Sequence, residues 1–380
     1  MLRYALKRLV LALLVACNPV VINQLLSYYV DGMLASSLVI VVCLGLHWMQ
    51  RPARLTGLAL ASSLIFLVNL KFTGLVYGTM FAVAWTAALE LRHPRRQRPG
   101  RRSGIGWVAG GLLCGALVVG FQPYVTNTVR HGHPFFPLMG AQVMDVVSTQ
   151  FDPRFLAEGR LERLARAVFS RSANDRQMPE LKWPFSVTTQ ELRAFVEADT
   201  RIGGFGPWFG GALIVAIPLI AIAAWRQEPR ARGILFLMLV TVVSGVANPA
   251  GWWARFAPQL WWIPVGAAVA GVTASHRRLQ HVGLLLMVAL EVNIALSSLP
   301  HLVIQLALNH DVHRQMDAIA DADRFQDVQV KFNYFEPLRI RLQEAGIQYR
   351  EVSSLTCREP LVLLGSRTQV CAGDPPLKVP

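Results

Sequence analysis

Apolar residues in this chain fall in long runs instead of alternating. The runs occupy 9–27, 33–49, 55–69, 73–91, 105–121, 210–225, 233–248, 258–274 and 282–299. A membrane-spanning helix needs about 20 mostly apolar residues, within a range of about 17–25. The pattern therefore predicts an all-α integral membrane bundle of about nine transmembrane helices. The first run is interrupted by Asn18-Pro19, and the third is short. The basic start MLRYALKR leads into an apolar stretch with no small-residue cleavage site, so no cleavable signal peptide is expected.

Two polar stretches are too long to be simple connections. They divide the chain into a transmembrane region at 1–121, a loop at 122–209, a second transmembrane region at 210–299 and a tail at 300–380. In the loop, PRFLAEGRLERLARAVFSRS (153–172) places Leu161, Leu164, Ala165, Val168 and Phe169 on one helical face. Such a helix lies in the membrane interface or packs on the protein's own outer surface. A second helix is expected over 189–199, capped by Thr188 or Thr189. RIGGFGPWFGG then breaks regular structure. The tail reads as strand (DVQVKFN), helix (FEPLRIRLQEAG) and two further strands (IQYREV, PLVLLG). This predicts a small α/β extracytoplasmic domain.

Composition agrees with the membrane reading: 53% of residues are hydrophobic and 16% charged, against about 25% charged in soluble domains. The net charge of +14 is unevenly placed. The connections at 1–8, 50–55, 92–104, 226–232 and 275–281 hold sixteen Lys and Arg, and Glu228 is their one acid. The intervening connections hold Lys71 and Arg255. The long polar segments are nearly neutral, with ten bases against nine acids in 122–209 and nine against ten in 300–380. This alternation is the positive-inside pattern. It places the N-terminus in the cytoplasm, with Asp31, Lys71, Arg255, the 122–209 loop and the tail outside. The run RHPRRQRPGRR then faces anionic lipid headgroups, and nucleic acid is excluded as a partner. Cys17, Cys43 and Cys114 lie in apolar runs. Cys357 and Cys371 lie in the outer tail, where a disulfide between them can form and persist; two unpaired thiols are the plain alternative.

Ionisable groups at membrane depth are expensive and mark function. Asp31 is the only carboxylate in the first 89 residues and directly precedes an apolar run. Lys71 lies in NLKFTGLVYG, and Arg255 lies between Trp252-Trp253 and Trp261-Trp262. The segment YVTNTVRHGHPFFPL adds Asn127, Arg130, His131 and His133. Cations with one carboxylate at one membrane face suit an anionic, phosphate-linked substrate. Lys and Arg hold the phosphate, while the carboxylate takes a proton from an acceptor. Plain structural readings stand beside these. Asp31 also fits a helix N-cap, Lys71 a snorkelling side chain, the tryptophans an aromatic belt, and the histidines loop residues. No metal-spaced cluster is present; a partly solvated cation with Asp31 as one ligand stays open.

The Asp before a span, KFTGL, TNTVRHGHPFFP and ARFAPQLW together resemble the GT-C superfamily of membrane glycosyltransferases. Protein O-mannosyltransferases and lipid A aminoarabinose transferases belong to it. KFTGLVY is similar to a Lys-aromatic-x-Gly-Leu segment of the mannosyltransferases, and VRHGHPFFP to a segment of bacterial members ending in Gly-Asn-Pro. The resemblance covers most of 1–300 and implies inverting transfer from a polyprenyl-phosphate sugar to a glycan, lipid or protein acceptor on the outer face. Asp31 would be catalytic, with Lys71, Arg130, His133 and Arg255 binding substrate phosphate. Such enzymes usually carry their acid between the first two spans, whereas Asp31 looks like a later one. The expectation is then an acid upstream of Met1, or a divergent or inactive relative. The rival readings are a transporter or flippase for lipid-linked saccharides and a non-catalytic assembly subunit.

Overall fold

A computed structural model describes residues 2–92, 101–141, 143–145, 147–228, 230–323, 327–333 and 336–372. The chain divides into two compact units, Met1–Pro300 and His301–Pro380. Most of the arginine run expected to face lipid, residues 93–100, lies outside the described residues.

The helices of the first unit are α1 (Leu2–Ala16), α2 (Pro19–Gln24), α3 (Asp31–Gln50), α4 (Arg54–Leu70), α5 (Phe72–Arg92), α6 (Arg101–Cys114), α7 (Thr126–His131), α8 (Pro153–Ala157), α9 (Arg160–Phe169), α10 (Thr189–Ala194), α11 (Phe209–Trp225), α12 (Ala231–Ala247) and α13 (Trp262–Val272). Helix α14 (Arg277–Asp323) begins here and ends in the second unit. Leucines on α3 and α4, among them Leu34, Leu38, Leu60, Leu64 and Leu67, are buried in a core shared with Phe209 and Trp261.

Nine spans are not what the chain forms. Among the described residues, two helices are long and apolar enough to cross a membrane, Asp31–Gln50 and Arg277–Ala322; a third counts only if a bent pair is one span. The reasons lie in the interruptions. The first run breaks at Asn18, whose side chain accepts from Val20 N–H to start α2 at Pro19. The fifth run passes through π-helical turns at Gly115–Val119 and Phe121–Val125, and its halves bend by 75°. The 258–274 run follows the 3-10 turn Ala254–Phe256 and opens with another, Pro258–Trp261, leaving α13 only 11 residues. Helices α4, α11 and α12 have 17 residues each, about 25 Å at 1.5 Å per residue. The ninth run does not stop at 299: it continues in α14 to Asp323.

The loop helix expected over 153–172 is split at Glu158-Gly159 into α8 and α9. Leu164 and Val168 of α9 pack on the main core, so that part of the face is covered by the protein itself, while Leu161 is exposed. Thr188 caps α10 in a capping box with Glu191, and the helix ends at Ala194, short of 199. A satellite core under the loop contains Phe151, Phe155, Ile202, Trp252 and Trp253.

In the second unit, β1 (Val328–Lys331), α15 (Pro337–Glu344), β2 (Tyr349–Glu351), β3 (Leu361–Val362) and β4 (Gln369–Ala372) build one sheet with one helix. The strand order is β2-β1-β4-β3. The β1–β2 pair is parallel, and β1–β4 and β4–β3 are antiparallel. Val328, Val330, Leu338, Leu342 and Val370 form its core with Ile319. Cys357 and Cys371 are disulfide-bonded, with Cα atoms 6.0 Å apart. Strand β4, which carries Cys371, was not expected from the sequence.

Candidate functional site

Asp31 opens α3 and is buried, at 2% exposure. It is not the N-cap. That position is Val30, which has no capping side chain, and Gln24 Oε1 instead accepts from Gly32 N–H at 2.8 Å. The Asp31 carboxylate is therefore free to meet Lys71, whose Nζ donates to Oδ1 at 2.6 Å. Lys71 is the residue where α4 ends and the chain turns into α5. That turn is tight: a Cβ on Gly74 would lie 2.1 Å from the Leu67 carbonyl oxygen, so only glycine fits. Lys71 does not merely snorkel: it is an ion-pair partner with a side chain 20% exposed.

Arg255 reaches the same place from the turn Ala254–Phe256. Its Nε lies 3.3 Å from Asp199 Oδ2, close enough for an ion pair but without hydrogen-bond alignment. The other Asp199 oxygen accepts from Trp253 Nε1 at 2.7 Å. Burial pushes the Asp199 carboxyl above its ordinary value. Arg255 and the Trp253 N–H pull it down without cancelling the rise, and the nearby Asp31 charge adds to it.

One ring joins the two ion pairs. Lys71 Nζ is 4.5 Å and Arg255 Cζ 4.6 Å from the centre of Phe256. Arg255 also stacks on Trp253 at 4.3 Å and on Tyr29 at 4.9 Å. A cation over an aromatic face is attracted by the ring quadrupole. Phe256 is itself fixed through its carbonyl, which accepts from Tyr77 Oη and, at 3.1 Å, from Asn248 Nδ2. Tyr77 closes the KFTGLVY motif, and Asn248 follows α12. Residues far apart in sequence thus share one polar centre.

Asp199 is held by its own scaffold. Asn293 Oδ1 accepts from Trp208 N–H at 2.8 Å, and its Nδ2 donates to the Phe205 carbonyl at 2.7 Å. Between these bonds Gly206 has φ +105°, and a Cβ there would lie 2.4 Å from Asn293. The GGFG break is thus fixed at Phe205–Trp208 by Asn293, a few residues after Asp199. Sequence reasoning took it only as an interruption, and so missed Asp199, Tyr77 and Asn248. A carboxylate four residues before that break was the available signal.

A small cavity borders the Arg255 pair. It is lined by Asn23, Gln24, Asp199, Thr200, Gly204 and Arg255 among others, and its volume is about 10 Å³, about what one water needs. Asn23 Oδ1, Gln24 Nε2 and Arg255 Nε are buried there without hydrogen-bond partners.

Arg130 and His133 are not brought into this centre. Arg130 is exposed on α7, which has no buried residue. His133 Nδ1 accepts from Phe135 N–H at 3.1 Å, a local turn bond. His131 stacks on Phe136 at 3.8 Å, and Asn127 donates to the Phe136 carbonyl. The segment does reach the neighbourhood: Phe135 packs against Phe72, the residue after Lys71, at 5.3 Å. The four tryptophans around Arg255 are buried, so they are not an exposed aromatic belt. Among the described residues no three His, Cys, Asp or Glu side chains gather as a metal set.

The arrangement can hold an anion between two cations, stack a flat or apolar group on Tyr29 or Phe256, and accept a proton on a carboxylate. No protein-family model, curated protein sequence or solved structure matches the chain.

Proposed function

We propose that the chain is a membrane glycosyltransferase of the GT-C kind, acting at the outer face of a bacterial inner membrane. It would pass a sugar from a polyprenyl-phosphate-linked donor to a glycan, lipid or protein acceptor. The observation that carries this reading is the meeting of Asp31–Lys71 and Asp199–Arg255 around the single ring of Phe256. In the reaction, an acceptor hydroxyl oxygen bonds to the anomeric carbon while the bond from that carbon to the donor phosphate oxygen breaks. The phosphate leaves as an anion and is held by Lys71 and Arg255. The hydroxyl proton passes to a carboxylate. Asp199, whose carboxyl holds its proton more tightly than usual, suits that last role. Asp31 suits orientation of Lys71 and of the acceptor. Both ion pairs must loosen as the phosphate enters.

Both ion pairs are closed, and the cavity beside Asp199–Arg255 is only about 10 Å³, which favours a second reading. In it a non-catalytic assembly subunit, or a flippase for lipid-linked saccharides, uses the same cations without a base.

The test is sugar transfer, with donor titration, in membranes holding equal amounts of each variant. Lys71→Met and Arg255→Met should each weaken donor binding by about one to two orders of magnitude, since a charge-assisted bond is worth roughly 1.5–3 kcal/mol. Asp31→Asn should lower turnover. Unchanged donor affinity in both cation variants would end the phosphate assignment. Donor binding without any transfer would favour the second reading.

A further inference from the structure

A second cavity lies away from the charged centre. It occupies about 390 Å³ between α3, α4, α5, α6 and α12. Its α3 wall runs from Val41 to Gln50, the opposite end of that helix from Asp31. Nineteen residues at 1.5 Å each separate Asp31 from Gln50, about 28 Å. Nothing in the proposed transfer reaction uses this space.

The walls are apolar, with Leu60, Leu64, Phe81, Val108, Ile234 and Leu237 among them. Such a volume is in the range of ligand sites. Left empty it would deprive its walls of packing partners, since protein interiors are close-packed. Water is a poor filler where polar partners are few.

The polar features present are chiefly donors. Arg230 lines the cavity and is exposed at its rim, immediately before α12. Trp85 lines it too, and its indole N–H is buried without an acceptor. Around this end stand the exposed Arg51, Arg54, Arg226 and Arg232, at the adjoining ends of α3, α4, α11 and α12. Among the described residues none of these guanidinium groups makes an ion pair. The nearest acid in sequence, Glu228, is turned away: its Oε2 accepts from Ser275 N–H at 2.6 Å. An apolar chamber with a donor in its wall and a cationic rim fits an apolar chain that ends in an anion.

Two cavity-lining residues, Leu46 and Phe236, also present apolar surface to the outside. Leu46 lies on α3, one of the two helices suited to crossing a membrane. The chamber would then open on acyl chains, with its basic rim at the headgroup level. We propose that it binds one acyl chain of an anionic phospholipid, with the lipid phosphate against Arg230. This rests on the membrane placement given under the proposed function, and not on glycosyl transfer.

The experiment uses the full chain, purified from membranes in mild detergent, with bound phospholipid extracted and quantified. The delipidated protein is then titrated with phosphatidylglycerol and with phosphatidylcholine. About one anionic phospholipid per chain should be retained, and phosphatidylglycerol should bind about tenfold or more tightly than phosphatidylcholine. Arg230→Gln, at an exposed position, should erase that preference while leaving the fold intact. Ala84→Phe, which fills the chamber, should reduce retention of both lipids. Retention of a free fatty acid alone, or a headgroup preference unchanged in Arg230→Gln, overturns the inference. Active sugar transfer by a chain that retains no phospholipid also overturns it, while leaving the proposed function standing. A chain washed off membranes by alkaline carbonate overturns both.

Discussion

Asp31 and Asp199 look alike in sequence and differ in what surrounds them. Asp31 faces an ammonium 2.6 Å away. Asp199 faces a misaligned guanidinium and an indole N–H in a partly dry pocket, and burial raises its proton affinity. A base must be deprotonated to work. Transfer should therefore fall as pH drops through a value above the ordinary Asp figure of about 3.9, and Asp199→Asn should remove that acid limb with a loss of about 10²–10⁴ in rate. A pH–rate profile of the two asparagine variants separates the roles: Asp31→Asn should keep the limb. The same shift has a sign for stability. Because the folded state favours the protonated carboxyl, its contribution is full below the unfolded value and is lost as pH rises through the folded one. A profile in which Asp31→Asn alone loses the limb would reverse the assignment. Asp31, Lys71 and Arg255 were legible in the sequence because charge is rare in apolar surroundings. Asp199 was not, because it sits in a stretch where acids are common and only the fold lifts it out.

Helix ends were harder to read than helix interiors. Apolar runs located α3, α4, α5, α11 and α12, since their buried leucines and small residues dominate composition. Boundaries depended on local chemistry that a hydropathy count ignores: the Asn18 cap, the π-helical turns after Gly115, the 3-10 turns before Trp262, and a helix that continues past Pro300. These turned nine apolar runs into far fewer span-length helices. The α4–α5 junction shows how much rests on one such boundary. Gly74→Ala pushes a methyl group into the Leu67 carbonyl, so α5 must move and take Lys71 with it. We expect a loss of about 2 kcal/mol or more in stability together with weakened donor binding. Gly110→Ala, where a Cβ meets nothing within 4 Å, is the control. Thermal unfolding of both variants in detergent measures the difference. Equal melting temperatures would mean that the junction is not what fixes Lys71.

At the scale of the whole molecule, the division into a largely helical unit and a small mixed one was visible as a polar tail with strand-like segments after the last apolar run. The number of spans was not, because length and apolarity of a run do not guarantee an unbroken helix. The disulfide connects the second unit to the question of sidedness. Cys357 and Cys371 are bonded across 14 residues, and such a bond persists in an oxidising compartment. Protein taken from cells under alkylating conditions should show the two tail peptides joined in non-reducing mass spectrometry. Two alkylated thiols would refute the bond and remove its support for the outer-face reading. Cys357→Ser should cost the unit about 2–4 kcal/mol, seen as faster amide exchange in β1 and β4, with transfer unaffected. The sheet order has a further consequence. The two edge strands are β2 and β3. Strand β3 has only two residues, and β2 carries Arg350 and Glu351, paired to Asp327 and Arg339. A short edge and a charged edge are poor templates for another chain. Crowded copies of this protein should therefore resist stacking their tails into a shared sheet, and any self-association through this unit must use its faces.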